Sequence, residues 1–172
     1  MSKVAIITGG FSGMGLASAK RLIADGVTVC IGTRRGDDAD AVAALHEKLG
    51  VAVFVAKLDV RNSESVSNFV DAVIAAHGTV DILLNTAGVY EESPVIGHPD
   101  DMWDAHMDTN LTGTFKMIRA VMPVMKAQGW GRIINLASTA AHEGLESNVA
   151  YCTSKAGLLG LGRCVSLEGA AH

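Results

Sequence analysis

Val4-Ala5-Ile6-Ile7-Thr8 followed by Gly9-Gly10-Phe11-Ser12-Gly13-Met14-Gly15 decides the fold of this chain. The first five residues are apolar or β-branched and do not alternate with polar ones, the pattern of a strand buried on both faces. Glycines then interrupt the run, and a stretch of helical period begins at Gly15 and continues to Ala24. A buried strand that turns through glycines into a helix opens a βαβ unit. The chain must cross the sheet to return, so the sheet is parallel.

The same grammar repeats downstream. Apolar runs at Val27–Gly32, Val51–Ala56, Ile82–Asn85 and Gly131–Ala137 predict four more strands buried on both faces. Helical stretches are predicted near Asp38–Leu49, Ser63–Ala76, Pro99–Asp108, Thr112–Gln128 and Ala150–Leu167. Asn62 or Ser63 suits the cap of the third helix, and Gly26, Gly50 and Gly78 stand where helices should stop. The expectation is a single α/β domain with a Rossmann-like, doubly wound parallel sheet. In such a sheet ligands bind beyond the carboxyl ends of the strands. The chemically unusual residues do follow strand ends: 9–15, 33–35, 59–60, 85–88 and 138.

Bulk properties narrow the function. A chain of 172 residues is long enough for one core and short for two domains. A net charge of -4 gives no reason to expect nucleic acid or an anionic membrane as partner. No apolar run has the length of a bilayer span, and the amino-terminal apolar stretch is too short for a signal segment, so a cytoplasmic location is expected. Cys30, Cys152 and Cys164 are odd in number and form no CxxC pair, which fits reduced thiols. The six histidines lack ligand spacing, so no metal site is expected.

Glycine in the 9–15 turn lets backbone N–H groups and the positive end of a helix dipole approach a pyrophosphate. The spacing here is G-x-x-x-G-x-G instead of the general G-x-G-x-x-G, and a tight strand-to-helix connection would use the same residues. After the second strand come Thr33, Arg34 and Arg35. An acidic residue there would hold the ribose 2′-hydroxyl of NAD; arginine suits a 2′-phosphate, so NADP(H) is favoured over NAD(H). Asp59, with Val60, could meet an adenine amino group or serve as a turn residue.

Tyr151-Cys152-Thr153-Ser154-Lys155 sets a phenol and an ammonium four residues apart, on one helix face. An ordinary phenol ionises near pH ~10. An ammonium about 4 Å from a phenolate, at an effective dielectric of about 20, stabilises it by about 4 kcal/mol. That is enough to bring a phenol toward neutrality, where a general acid or base works best.

Taken together, TGGFSGMG at 8–15, DV at 59–60, NTAG at 85–88, Asn110 in NLTGTF, GRIINLAS at 131–138 and YCTSK at 151–155 resemble the short-chain dehydrogenase/reductase family. They arrive in the family's order, and the resemblance covers essentially the whole chain. It implies an NADP(H)-dependent oxidoreductase acting on a small carbonyl or secondary alcohol, for example a 3-oxoacyl compound, a sugar or a cyclic ketone. It implies that Gly9, Ser12, Gly13, Met14 and Gly15 cradle the pyrophosphate, and that Arg34, with Arg35, reads the 2′-phosphate. Asp59 and Val60 would border the adenine, and Asn85, Ala87 and Gly88 would flank the adenosine ribose and support the sheet. Ser138 would hydrogen-bond the substrate carbonyl and Tyr151 would exchange the proton. Lys155 would tune Tyr151 and hold the nicotinamide ribose, while Asn110 would kink its helix and anchor a water. Self-association as a homodimer or tetramer is expected, because the helices at 112–128 and 150–167 often pack between subunits in this family. The loops at 89–98 and 139–148 should line the substrate pocket, with Tyr90, His142 and Leu145 as candidates.

Two departures stand out. Thr86 replaces the second asparagine of the family's Asn-Asn-Ala-Gly. The family's final strands, its Pro-Gly segment and its substrate lid are missing after His172. From this, weak dinucleotide binding and poor turnover are expected of the 172-residue chain alone. The alternative is a non-catalytic remnant that binds a nucleotide or a partner.

Overall fold

In the computed structural model, which describes residues 2–172, β1 (Val4–Thr8) runs through the middle of a five-stranded, all-parallel sheet. The order is β3-β2-β1-β4-β5, with β2 at Thr28–Thr33, β3 at Phe54–Lys57, β4 at Ile82–Asn85 and β5 at Arg132–Asn135. The strand order therefore reverses at β1, between β2 and β4. That is the switch point where open α/β sheets bind ligands.

Helices cover both faces. α1 (Gly13–Ala24) and α2 (Ala39–Leu49) pack Leu16, Ala19, Leu22 and Leu45 on one side of the sheet. On the other side, α3 (Ser63–His77) contributes Val66, Phe69, Val70 and Val73. They meet Met117, Ile118, Val121 and Met125 of α5 (Gly113–Ala127). α4 (Asp100–His106) runs into α5 through a π-helical segment at Met107–Thr112. α6 (Ala140–Glu143) is a single turn, and α7 (Val149–Gly169) adds Leu161 and Val165 to the second core. Each fully buried leucine, valine or phenylalanine contributes about 1.5–3 kcal/mol, so these two layers hold the sheet between them. Cys30 of β2 is wholly buried, and desolvation pushes its thiol pKa up to about 12.

Several boundaries differ from those expected. The second strand starts at Thr28, because Val27 donates its N–H to Leu22 O at 2.9 Å and so belongs to the close of α1. The third starts at Phe54 and not Val51. Gly50 ends α2 in the left-handed conformation, and residues 51–53 carry the chain back to the sheet. β3 lies at an edge of the sheet, so it is not buried on both faces. The two helices expected at 99–108 and 112–128 form one continuous rod, since the π segment absorbs the irregularity between them without breaking it. Asn62, not Ser63, caps α3, accepting from Ser65 N at 2.9 Å.

The sheet end away from the switch point is tied down by Asp81. Its carboxylate accepts from Val4 N at 2.8 Å and from Lys3 Nζ at 3.0 Å. The opposite end is left open for chemistry.

Candidate active site

At the carboxyl end of β1 the chain passes from Gly9 to Gly15 into α1. Gly9 has φ +80°, and a Cβ there would press on the Ala87 backbone at 3.2 Å. At Gly15 a Cβ would stand 2.7 Å from Thr86 Oγ1 and 2.8 Å from Gly9 O, so a side chain would force helix and sheet apart. The two neighbouring helices are capped by their own side chains, α2 by Asp38 and α3 by Asn62, and each has an acid in its first turn. α1 has neither: Ser12 makes no side-chain cap and the first turn holds no acid. Its first N–H groups and the positive end of its dipole therefore face the opening unsatisfied.

That opening is a cleft of about 630 Å³. Gly9, Ser12, Gly13, Met14 and Gly15 line it, as do Arg34, Asp59, Val60, Ala87 and Gly88. Arg34 forms no ion pair among the described residues. Arg35 is engaged elsewhere: its guanidinium meets Asp38 at 2.9 Å, next to the α2 cap, and it does not line the cleft. Asn85 also lies behind the wall. It donates to Asn135 Oδ1 at 2.9 Å and couples β4 to β5.

Two residues at this end, Arg61 and Thr8, were not singled out in the sequence, and Thr86 stood out there only as a departure from the family's asparagine. Arg61 grips Asp59 at 2.6 Å, and its hydrogen bonds hold the Asp59 carboxyl below the usual carboxylate range. Thr8 accepts from the N–H groups of both Thr86 and Ala87 at 3.1 Å. Thr86 returns a hydroxyl hydrogen bond to Thr8 O. The threonine in place of the family's asparagine thus ties β4 to β1. Arg61 was visible only as a charge two residues beyond Asp59, and nothing in the sequence marked it as a partner.

The proposed chemical residues come from α7, the π segment and the loop after β5. Tyr151 and Lys155 share one face of α7, with Lys155 Nζ 5.7 Å from the Tyr151 ring centroid. Lys155 is 9 % exposed and donates to Leu136 O at 2.7 Å. Burial pulls its pKa down. A Cβ on Gly88 would stand 3.9 Å from this ammonium, which places Lys155 against the wall of the cleft. Ser138 lies two residues beyond Leu136, and its hydroxyl accepts from Ala140 N at 3.2 Å.

Asn110 is 1 % exposed within the π segment. It accepts from Val89 N at 2.8 Å and donates to Val89 O at 3.0 Å and Ser154 Oγ at 3.1 Å. Its amide thus joins α7 to the strand-end loop. His106 is a site neighbour the sequence reading passed over, 1 % exposed and edge-on to Tyr151. The signal was present: His106, Asn110 and Thr114 are polar at four-residue spacing, and all three are buried. Of the candidate pocket residues, Tyr90 packs against Tyr151, while Leu145 is 54 % exposed and His142 is exposed. Among the described residues no cluster of His, Cys, Asp and Glu could hold a metal ion, and no helix is long and apolar enough to cross a membrane.

A glycine turn at the switch point of a five-stranded parallel sheet covered by helices on both faces defines the Rossmann-like α/β class, here with Tyr151 and Lys155 on one face of α7. The chain belongs to the short chain dehydrogenase family, whose sequence profile matches residues 3–172. It is 40 % identical over 167 residues to the 2-dehydro-3-deoxy-L-rhamnonate dehydrogenase (NAD(+)) of Sphingomonas sp. (strain SKA58), covering 96 % of this chain and 66 % of that protein. Among solved structures it resembles a variant of the actinorhodin polyketide ketoreductase with NADPH, at TM-score 0.91 and 34 % identity. That match covers 98 % of this chain and 66 % of the other. It also resembles an NAD+-bound xylitol dehydrogenase, at TM-score 0.89 and 35 % identity, covering 98 % of this chain and 65 % of the other. The chain spans about two thirds of the length of the curated relatives it matches.

Proposed function

We propose that this protein is an oxidoreductase that interconverts a small carbonyl compound and its secondary alcohol, with NADP(H) preferred over NAD(H). The observation that carries this reading is the Lys155 ammonium, buried beside the Tyr151 ring and against Gly88 at the cleft wall. The residues present fit a dinucleotide: the uncapped start of α1 meets the pyrophosphate, and the Gly9–Gly15 turn keeps side chains out of its way. When bound, the nicotinamide supplies or receives the hydride.

The chain's own groups do the rest. Ser138 receives the Ala140 N–H, which leaves its own proton for the substrate oxygen, where negative charge grows in reduction. Tyr151 delivers the proton to that oxygen, or removes it in the reverse direction. Lys155 stabilises the phenolate left behind and hydrogen-bonds the nicotinamide ribose. Asn110 holds Ser154 of α7 and Val89 together, so the tyrosine face and the cleft keep one geometry. Three thiols without disulfide partners suit a cytoplasmic setting, and assembly as a homodimer or tetramer belongs to the same reading.

Arg34 supports NADP(H), since it lines the cleft and forms no ion pair among the described residues. A hydrogen bond to a charged group contributes about 1.5–3 kcal/mol. Arg34→Ala should therefore weaken NADPH about tenfold to a hundredfold and leave NADH within about twofold, read by fluorescence titration of both cofactors. Equal losses for both would remove Arg34 as the phosphate reader.

Charge narrows the substrate. No lysine or arginine occurs between Thr86 and Phe115, or between Ile133 and Ser154, whereas Glu91, Glu92, Glu143 and Glu146 lie in these segments. Uncharged ketones should be reduced with higher kcat/KM than coenzyme A thioesters or sugar acids of similar reactivity, in a substrate panel at low ionic strength. A preference for the anionic substrates would contradict this.

A further inference from the structure

Tyr90 and Tyr151 are the only tyrosines in the chain, and the fold packs them against each other. Their ring centroids are 4.9 Å apart with planes at 87°, an edge-to-face contact. Tyr90 lies on the loop after β4, and that loop is fixed on both sides of it. Asn110 holds the N–H and C=O of Val89. His106 Nε2 accepts from the N–H of Glu91 at 3.1 Å.

The tautomer of His106 follows from its partners. Met102 O, 2.8 Å from Nδ1, can only accept, and Glu91 N–H can only donate. Nδ1 carries the hydrogen and Nε2 is bare. The imidazole also stands edge-on to Tyr151, with centroids 6.4 Å apart and planes at 80°. A second tie lies further along the loop, where Ser93 N donates to Ser147 O at 2.7 Å, close to the start of α7. Tyr90 is 53 % exposed and its hydroxyl donates to Glu92, so one face of the ring packs while the remainder borders solvent.

A buried imidazole inside a helix is costly unless both nitrogens are bonded, and an apolar side chain would fill the space as well. Here both nitrogens are used, and one of them sets the loop that carries Tyr90. We propose that His106 and Asn110 form a clamp that seats Tyr90 against Tyr151, making Tyr90 a positioning residue for the proton-exchanging phenol and one wall of the substrate pocket. This rests on the function proposed above. A general acid must be held within hydrogen-bond reach of the substrate oxygen, and small displacements are expensive. Two rings packed around Tyr151 restrict the swing of its side chain.

The test compares Tyr90→Phe, Tyr90→Ala, His106→Gln and His106→Leu with the parent protein and with Tyr151→Phe, using NADPH and a ketone that the parent reduces. Tyr90→Phe keeps the ring and should retain kcat within about twofold, whereas Tyr90→Ala should lower kcat about tenfold and change KM for the ketone. His106→Leu should lower kcat about tenfold, and His106→Gln, which keeps an acceptor for Glu91 N–H, should recover most of it. NADPH affinity should stay constant throughout, which separates positioning from general loss of structure. Unchanged kcat in both Tyr90→Ala and His106→Leu, with Tyr151→Phe inactive, would overturn the clamp alone. Activity in Tyr151→Phe would overturn the underlying function and the clamp with it.

Discussion

Tyr151→Phe is expected to reduce turnover by about a hundredfold to ten-thousandfold, the usual range for a lost general acid or base. The substitution removes one oxygen and keeps the ring that packs against Tyr90 and His106. It also leaves Lys155 bonded to Leu136 O and the Gly9–Gly15 turn untouched. Dinucleotide affinity should therefore change little, and the whole effect should appear in kcat. Steady-state kinetics combined with cofactor titration checks both halves. Retained turnover would remove the phenol from the proton path.

Lys155→Met is expected to act in opposite directions on activity and stability. Activity should fall by at least as much as in Tyr151→Phe, because the phenolate loses its neighbouring positive charge. Stability should rise. Lys155 is buried, has one hydrogen bond, to Leu136 O, and forms no ion pair among the described residues. A buried charge without a counter-charge is a net cost, and methionine fills nearly the same volume without it. A gain of about 1 kcal/mol corresponds to about 2–4 °C in Tm for a chain of this size.

The sign with pH follows from the same burial. The pKa of Lys155 is lowered in the folded state, so the folded chain binds fewer protons than the unfolded one between that lowered value and about 10.4. Parent stability should therefore gain from Lys155 as pH rises through this window, and the gain should be absent in Lys155→Met. Urea denaturation of both proteins across alkaline pH measures it. A variant less stable than the parent at neutral pH would show the ammonium to be an asset of the fold.

Much of this site was legible because its chemistry is local in sequence. The buried run Val4–Thr8 and the glycines after it specify a strand, a turn and a helix within a dozen residues. The four-residue step from Tyr151 to Lys155 puts both on one helix face whatever the rest of the chain does. What stayed hidden depends on register and on packing between distant segments. Arg35 and Arg34 are alike in sequence, and only the position of Asp38 at the start of α2 decides which is committed. The pairing of Thr8 with Thr86 spans 78 residues and follows from β1 lying beside β4. The apolar run of β3 predicts burial on both faces because such a run does not reveal how many neighbours its strand will have.

The bare start of α1 has a thermodynamic corollary. Helices α2 and α3 complete their own first turns with Asp38 and Asn62, so their ends are as ordered without a ligand as with one. α1 has no such internal substitute, and the phosphate that would complete it comes from outside the chain. Under the function proposed here, every molecule of cofactor bound also finishes a secondary-structure element. The concentration of dinucleotide then sets how firmly the first βα unit is closed as well as how fast the enzyme runs, by ordinary mass action on the folded state.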